Sequence, residues 1–294
     1  MKNDYLVKAV DNQKQIRVII SRTTNIVEEA RRRHGTSATA SAALGRVLTA
    51  AVMLGSDLKN DGDSLTIRVN GYGISGPIIA TANSTGHVRG YVSNPLADLP
   101  SVYPGKLAVG KLVGKEGFLE VVKDIGFNQP FRGMVPLVSG EIAEDLAQYL
   151  LGSEQVPSLV SLGVLVATDL SIAAAGGLIV QALPGASEDI IKLVEDNILE
   201  MGPISNSINN SESLESLLTM ALRRIDYTVI DQKPLAFKCN CSYERIARIL
   251  AGLPDEELDS INEERGCIEV CCNFCNQIYR YQREEVFGNK NNKP

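Results

Sequence analysis

The chain has 294 residues, of which 44% are hydrophobic, 22% charged and 5% aromatic, a composition typical of a globular protein rather than a disordered or fibrous one. Its length allows one or two domains with a substantial core. The formal net charge of -6 argues against nucleic acid as a partner, because binding to phosphates calls for an excess of basic residues.

The N-terminal stretch MKNDYLVKAVDNQ has neither the apolar core nor the small-residue cleavage site of a secretory signal, so we expect a cytoplasmic protein with reduced cysteines. Two apolar stretches, residues 37–55 and 158–183, are long enough to suggest membrane spans. Arg46 interrupts the first and Asp169 the second, and a central charge is costly in lipid. Both are therefore predicted to be buried core, and no membrane partner is expected.

Residues 1–182 are predicted to form an α+β core domain with a mixed sheet and packed helices. Its helix NIVEEARRRH has Asn25 and Glu28 at capping-box spacing and Gly35 as its stop. Residues 37–55 are predicted to form a small-residue helix that can pack closely, and EIAEDLAQYLL is predicted to form a further helix that ends at Gly152. The predicted strands are LVKAV, IRVIIS, SLTIRV, PIIATA, HVRGYV, FLEVVKDI, VSLGVLVAT and SIAAAGGLIVQAL.

The segment GYGISG, residues 71–76, fits the dinucleotide-binding pattern G-x-G-x-x-G. That pattern binds a pyrophosphate only where it follows a strand and opens a helix. Here Pro77 and a strand-like run follow it, so we interpret the segment as a Gly-rich hairpin turn.

Residues 183–232 are predicted to form a helical linker arm. Two segments, residues 187–201 and 212–225, carry apolar residues at helical spacing, and the polar run PISNSINNS between them is predicted to break the helix. Residues 233–294 would then form a second, small domain that contains all the cysteines.

The six cysteines fall in the last quarter of the chain, and four of them form two short pairs. Cys239 and Cys241 stand in a C-x-C pair, Cys272 and Cys275 in a C-x-x-C pair, and thirty residues separate the pairs. Clustered thiols in a reduced protein indicate metal binding or redox work rather than structural disulfides. Four thiolates suit tetrahedral Zn2+, which favours sulfur as a ligand. A bound metal would also stabilise the small domain, whose core is marginal by itself.

The choice of ligands in the second pair is open, because Cys267, Cys271 and Cys272 compete to partner Cys275. C-x-x-C geometry favours Cys272, and Cys271 would point away if IEVCC is a strand. The chain has two histidines, His34 and His87, both far from the cysteines in sequence, so a site of four thiolates is preferred to a mixed one. The alternative hypotheses for these cysteines are an iron-sulfur cluster and a domain without metal.

Several segments together resemble the redox-regulated thirty-three-kilodalton heat-shock chaperones, also called the 33 kDa chaperonin family. The C-x-C pair, the thirty-residue spacer and the C-x-x-C followed by Y-x-Y are similar to the zinc signature of that family. The segments GHVRGYVSNP, SGEIAEDLAQYLLGSEQVPS and AAGGLIVQALPGA are similar too, so the resemblance spans most of the chain.

This resemblance implies an ATP-independent holdase that is inactive when it is reduced and zinc-bound. Oxidation would form the disulfides Cys239–Cys241 and Cys272–Cys275, release zinc, unfold the zinc domain and the arm, and expose apolar surface to unfolding client proteins. It also implies a homodimer in the active form and hand-over of clients to ATP-dependent foldase chaperones. The extra pair, Cys267 and Cys271, leaves the oxidised connectivity open.

Two other functions compete with this one. A constitutive zinc-ribbon module for nucleic acid is disfavoured because residues 233–294 hold nine Lys or Arg against ten Asp or Glu, a net charge of -1. A dithiol oxidoreductase would need the C-x-x-C to open a helix, whereas strand-like runs flank CNFC. The sequence has no P-loop and no recognisable catalytic setting around either histidine, so we do not expect an enzyme.

Overall fold

The computed structural model describes residues 2–103 and 105–288, with Arg265 and residues 287–288 described by their backbone alone. The chain divides into two compact units, one up to Lys238 and one from Cys239 onward. The strands of the described residues are β1 (Tyr5–Asp11), β2 (Ile16–Arg22), β3 (Ser64–Asn70), β4 (Ile78–Asn83), β5 (His87–Val92), β6 (Phe118–Asp124), β7 (Phe131–Pro136), β8 (Ser158–Val166), β9 (Ile172–Ala182), β10 (Tyr227–Pro234), β11 (Ala236–Phe237), β12 (Ile268–Cys271) and β13 (Ile278–Tyr281). The helices are α1 (Thr24–His34), α2 (Ala38–Gly55), α3 (Val109–Val113), α4 (Ala143–Gly152), α5 (Glu188–Met201), α6 (Ile204–Asn210), α7 (Leu214–Ala221), α8 (Tyr243–Leu250), α9 (Asp255–Arg265) and α10 (Arg283–Gly288).

The first unit contains two sheets, which confirms the predicted α+β class. One is antiparallel, with strand order β10-β1-β2-β9-β8, and the other has the order β11-β5-β4-β3-β6-β7. The second is a mixed sheet because β11 runs parallel to β5. In β4 and β5 buried side chains alternate with half-buried ones, as expected for strands with one face on the core.

Helix α2 is the centre of the main core. By length and composition it could cross a membrane, yet 89% of its apolar window is buried inside the protein, against residues of both sheets. The second apolar stretch forms the antiparallel pair β8 and β9, joined by a turn at Asp169. The first stretch is buried core, as predicted. In the second stretch β9 is mostly buried, whereas β8 is largely half-buried and residues 168–170 are exposed.

A second apolar cluster lies on the other face of the five-stranded sheet, where α5, α6 and α7 cover it. The two predicted arm helices are confirmed as α5 and α7. The predicted break between them is wrong, because residues 204–210 form α6. Ile204 and Ile208, one helical turn apart, are both buried against the sheet, and this burial outweighs the weak helix propensity of the Asn and Ser residues around them.

Helix α1 begins one residue earlier than predicted and is capped in another way. Its first residue follows Thr23, and the predicted capping box of Asn25 and Glu28 is wrong. Instead the carboxylate of Asp4 accepts hydrogen bonds from the backbone N–H groups of Asn25 and Ile26, at 3.2 and 2.8 Å. A cap supplied by a residue that lies before β1 leaves no mark in the sequence around α1. The stop at Gly35, with φ of 62°, is confirmed.

The G-x-G-x-x-G segment lies between β3 and β4, so its interpretation as a turn into a strand is confirmed. Gly73 is required there because a Cβ would stand 2.3 Å from the carbonyl oxygen of Leu112. The glycines therefore serve close backbone packing, not a pyrophosphate.

The second unit is small, with α8, α9 and α10 around the β12–β13 hairpin. Among its described residues, the apolar core has seven buried members: Ile246, Ala247, Leu250, Leu258, Ile268, Tyr281 and Val286. A core of this size gives marginal stability in water, so the unit needs a further source of folding free energy.

Candidate metal centre

The first cysteine pair directly precedes helix α8. Ser242 caps that helix, and its hydroxyl accepts a hydrogen bond from the Arg245 N–H at 3.2 Å. The buried residues Ile246 and Leu250 fix α8 on the core. Cys239 and Cys241 therefore stand beside a helix N-terminus, whose partial positive charge favours thiolates.

The second pair lies in the loop of the β12–β13 hairpin. The Cys272 N–H donates to the Gln277 carbonyl at 2.9 Å, and the Asn276 N–H donates to the Cys272 carbonyl at 2.7 Å. Asn276 adopts the left-handed region, with φ of 56°, which an asparagine tolerates in a tight turn. This turn brings Cys272 and Cys275 to one side, and it joins strands rather than opening a helix, as the sequence indicates.

The structure brings the four predicted residues together. The sulfur atoms of Cys239, Cys241, Cys272 and Cys275 all lie within 4.8 Å of one another. Between the pairs, Cys239 Sγ lies 3.8 Å from Cys272 Sγ, and Cys241 Sγ lies 3.3 Å from Cys275 Sγ. These distances are too long for a disulfide, at about 2.05 Å, and close to the roughly 3.8 Å between sulfurs bound to one tetrahedral ion at about 2.3 Å.

The remaining two cysteines lie outside this group. Cys271 is exposed at the end of β12, and its thiol contacts the side-chain oxygen of Asn276 at 3.2 Å. Cys267 is half-buried and precedes the same strand. Strand alternation, which turns successive side chains to opposite faces, explains why Cys271 and Cys272 separate.

The thiols of the group differ in acidity. Partial burial acts to raise the pKa of Cys241, but hydrogen bonds from Tyr279 and the neighbouring thiols outweigh it and lower that pKa to about 7. Burial raises the pKa values of Cys272 and Cys275. Four thiolates at these distances need a cation to offset their repulsion.

Tyr279 is a site residue that the sequence reasoning missed. Its hydroxyl donates a hydrogen bond to the Cys241 sulfur at 3.1 Å, and this bond raises the pKa of Tyr279. Alternation in the Y-x-Y after the C-x-x-C indicates that the two tyrosines share a face of the strand, but it gives no sign that one of them meets Cys241.

The donor set fits a soft, tetrahedral cation. Within the described residues the group contains four thiols and no imidazole or carboxylate, and both histidines of the chain lie in the first unit. The group can hold a metal ion, and thiolate ligands of this number select zinc or a similarly soft metal.

Comparison with known proteins identifies the family. The model of the family described as Hsp33 protein matches residues 4–282. The "33 kDa chaperonin" of Desulforamulus reducens is 48% identical over 283 residues, covering 96% of this chain and 96% of that protein. A "33 kDa chaperonin" of Bacillus cereus is 47% identical, covering 96% of this chain and 97% of its own length.

A solved structure agrees with these sequence matches. The crystal structure of the 33 kDa chaperonin, or heat shock protein 33 homolog, from Thermotoga maritima superposes with a TM-score of 0.89 at 35% identity. The match covers 98% of this chain and 97% of that one. These relatives are named chaperonins, which denotes a non-enzymatic function and agrees with the prediction that the chain is not an enzyme. The chain belongs to the Hsp33 family of chaperones.

Proposed function

We propose that this protein is a redox-regulated, ATP-independent holdase, inactive when reduced and zinc-bound and active when oxidised. The observation that carries this proposal is the convergence of four thiols, distant in sequence, in a unit whose own core is marginal. Removing the thiolates would remove the main support of that unit.

We assign Cys239, Cys241, Cys272 and Cys275 as the ligands of one Zn2+ per chain. Bound zinc would supply charge compensation for the thiolates and a cross-link between the segment before α8 and the β12–β13 hairpin. Structural zinc sites contribute roughly 10 to 16 kcal/mol of apparent binding free energy, against a usual total stability of about 5 to 15 kcal/mol. The fold of the second unit would then depend on its ligands.

Oxidation would consume the ligands in pairs, Cys239 with Cys241 and Cys272 with Cys275. One thiolate sulfur attacks an oxygen of a hydroperoxide, the O–O bond breaks, and hydroxide or alkoxide leaves a sulfenic acid behind. The second thiolate of the pair attacks that sulfur, the S–O bond breaks, and hydroxide leaves as the disulfide forms. Two electrons pass from sulfur to each peroxide, and neither sulfur keeps the charge that binds a cation.

The arm covers the surface that clients would bind. The sheet face under α5, α6 and α7 is apolar and buried, with Val7, Val18, Ile20 and Leu178 among its residues. Strand β10 ends at Pro234, five residues before Cys239, so the arm leads into the cysteine-bearing unit over a short connection. We propose that unfolding of the second unit spreads into the arm and uncovers this face.

Membership of a chaperone family supports unfolded proteins as partners. We further propose a core domain over residues 1–182, a linker arm over 183–232 and a redox-switch domain over 233–294. A homodimer in the active form, hand-over of clients to ATP-dependent foldase chaperones and a cytoplasmic location complete the proposal, since only a reducing compartment would hold the thiols ready.

The experiment compares the reduced, zinc-loaded protein with the same protein after hydrogen peroxide and mild heat. We expect loss of four thiols and of one zinc ion per chain, together with suppression of light scattering from a thermally unfolding client. Release of zinc with unchanged client aggregation would refute the proposed function.

A further inference from the structure

The hydroxyl of Tyr279 contacts a switch thiol directly. It lies 3.1 Å from Cys241 Sγ, and its position is set by strand β13, where Tyr279 pairs with Val270. The half-buried ring packs against the core of the second unit. The donor is therefore held in place by the fold.

We propose that Tyr279 is a positioning residue that slows oxidation of the Cys239–Cys241 pair through its hydrogen bond to the Cys241 sulfur. This inference rests on the proposed function and assigns part of its regulation. A hydrogen bond to a thiolate is charge-assisted, so it stabilises the thiolate before reaction. During oxidation the sulfur gives a lone pair to the peroxide and loses its negative charge, so the hydrogen bond from Tyr279 weakens as the sulfenic acid forms. The activation barrier for oxidation of Cys241 is therefore higher with this hydrogen bond than without it.

The two cysteine pairs would differ in this respect. Within the described residues, the hydroxyl contact falls on Cys241, whereas backbone N–H groups of the hairpin loop face the sulfurs of Cys272 and Cys275. Removing the Tyr279 hydroxyl should therefore accelerate the initial oxidation of the Cys239–Cys241 pair and leave the initial rate of the Cys272–Cys275 pair nearly unchanged. The second pair is an internal control within the same molecule.

Tyr243 provides a matched control for the substitution. Its hydroxyl donates to Glu285 at 2.9 Å and lies 3.2 Å from the Arg280 carbonyl oxygen, and its ring packs on that of Tyr281. Tyr279→Phe and Tyr243→Phe each remove one hydroxyl from the same unit and keep the ring. They differ in the acceptor of the lost hydrogen bond, which is the Cys241 sulfur for Tyr279 and the Glu285 carboxylate for Tyr243.

The experiment uses the full-length, reduced protein loaded with zinc and treated with a small excess of hydrogen peroxide. Thiols are alkylated at intervals, and mass spectrometry follows each cysteine pair. In Tyr279→Phe we expect the initial rate of thiol loss at the Cys239–Cys241 pair to be about three- to tenfold higher than in the wild type, and the initial rate at the Cys272–Cys275 pair to stay within about twofold. Tyr243→Phe should match the wild type at both pairs.

A spectroscopic measurement separates tuning of the sulfur from a loss of structure. In the cobalt-loaded protein, the sulfur-to-cobalt charge-transfer band should move to longer wavelength in Tyr279→Phe, since a sulfur without the hydrogen bond is more electron-rich, and stay in place in Tyr243→Phe. Equal oxidation rates and an unmoved band would overturn the proposal. So would a Tyr279→Phe protein that binds no cobalt, since the hydroxyl would then serve folding. Both results concern oxidation rates and spectra, so they leave the holdase assay of the wild type unaffected.

Discussion

Leu218→Ala tests whether the arm covers the surface that binds clients. Leu218 lies on α7, is 0% exposed and belongs to the apolar cluster between the arm and the sheet. Truncation of a buried leucine costs about 2 to 5 kcal/mol. Expressed as an equilibrium between docked and open arms, this raises the open population roughly 30- to 5,000-fold. We therefore expect the reduced, zinc-loaded variant to hold clients without oxidation.

The assay has two readouts. Light scattering of an unfolding client reports holdase activity under reducing conditions, and hydrogen exchange reports opening of α5, α6 and α7. Leu199→Ala is the matched control, because Leu199 lies on α5 with 77% of its surface exposed, and a substitution there should change stability by less than about 0.5 kcal/mol. The control should behave like the reduced wild type in both readouts.

One combination of results would refute this reasoning. If the amides of α5, α6 and α7 exchange faster in Leu218→Ala while the client aggregates as it does with reduced wild type, the face under the arm is not the binding surface. A thermal melt of the variant checks that the rest of the first unit stays folded under the assay conditions.

Three further predictions address the thiols and a buried carboxyl group. Cys272→Ser should lower the zinc content far below one ion per chain. Cys271→Ser, at the exposed neighbouring position, should leave the zinc content unchanged. Equal zinc content in the two variants would exclude Cys272 as a ligand. A strong chelator under reducing conditions should abolish the hydrogen-exchange protection of α8 and the β12–β13 hairpin but not that of α2. If the hairpin stays protected, the second unit folds without metal. Desolvation by burial raises the pKa of Asp4 from 3.8 to about 6, against hydrogen bonds from Ile26 and Asn25 that lower it. Since the native state then holds this proton to a higher pH than the unfolded chain, the free energy of unfolding should fall by about 3 kcal/mol as pH rises from about 4 to about 6, a fall that denaturant titrations of Asp4→Asn should lack.

The sequence predicted those features whose cause is local. Alternation and apolar runs located most strands, and the spacing of four cysteines selected the residues that converge. The features it missed depend on contacts between distant segments. Helix α6 exists because Ile204 and Ile208 are buried against the sheet, and the cap of α1 comes from Asp4, twenty-one residues before Asn25. Neither contact can be read from a window of neighbouring residues.

The contact between Tyr279 and Cys241 belongs to the same class. The two residues are thirty-eight positions apart and meet only because the hairpin and the loop before α8 fold together. Strand alternation allowed the prediction that Cys271 and Cys272 separate, but it gave no partner for the tyrosine. A functional site formed by two segments can thus be predicted in its ligands and missed in the residues that tune them.

The most direct test of the central claim is hydrogen exchange on the oxidised protein, with and without a bound client. We predict that oxidation removes protection from the second unit and from α5, α6 and α7, and that client binding then protects β1, β2 and β9 on the face that the arm had covered. Loss of protection confined to the second unit, or client-dependent protection on other strands, would contradict the account.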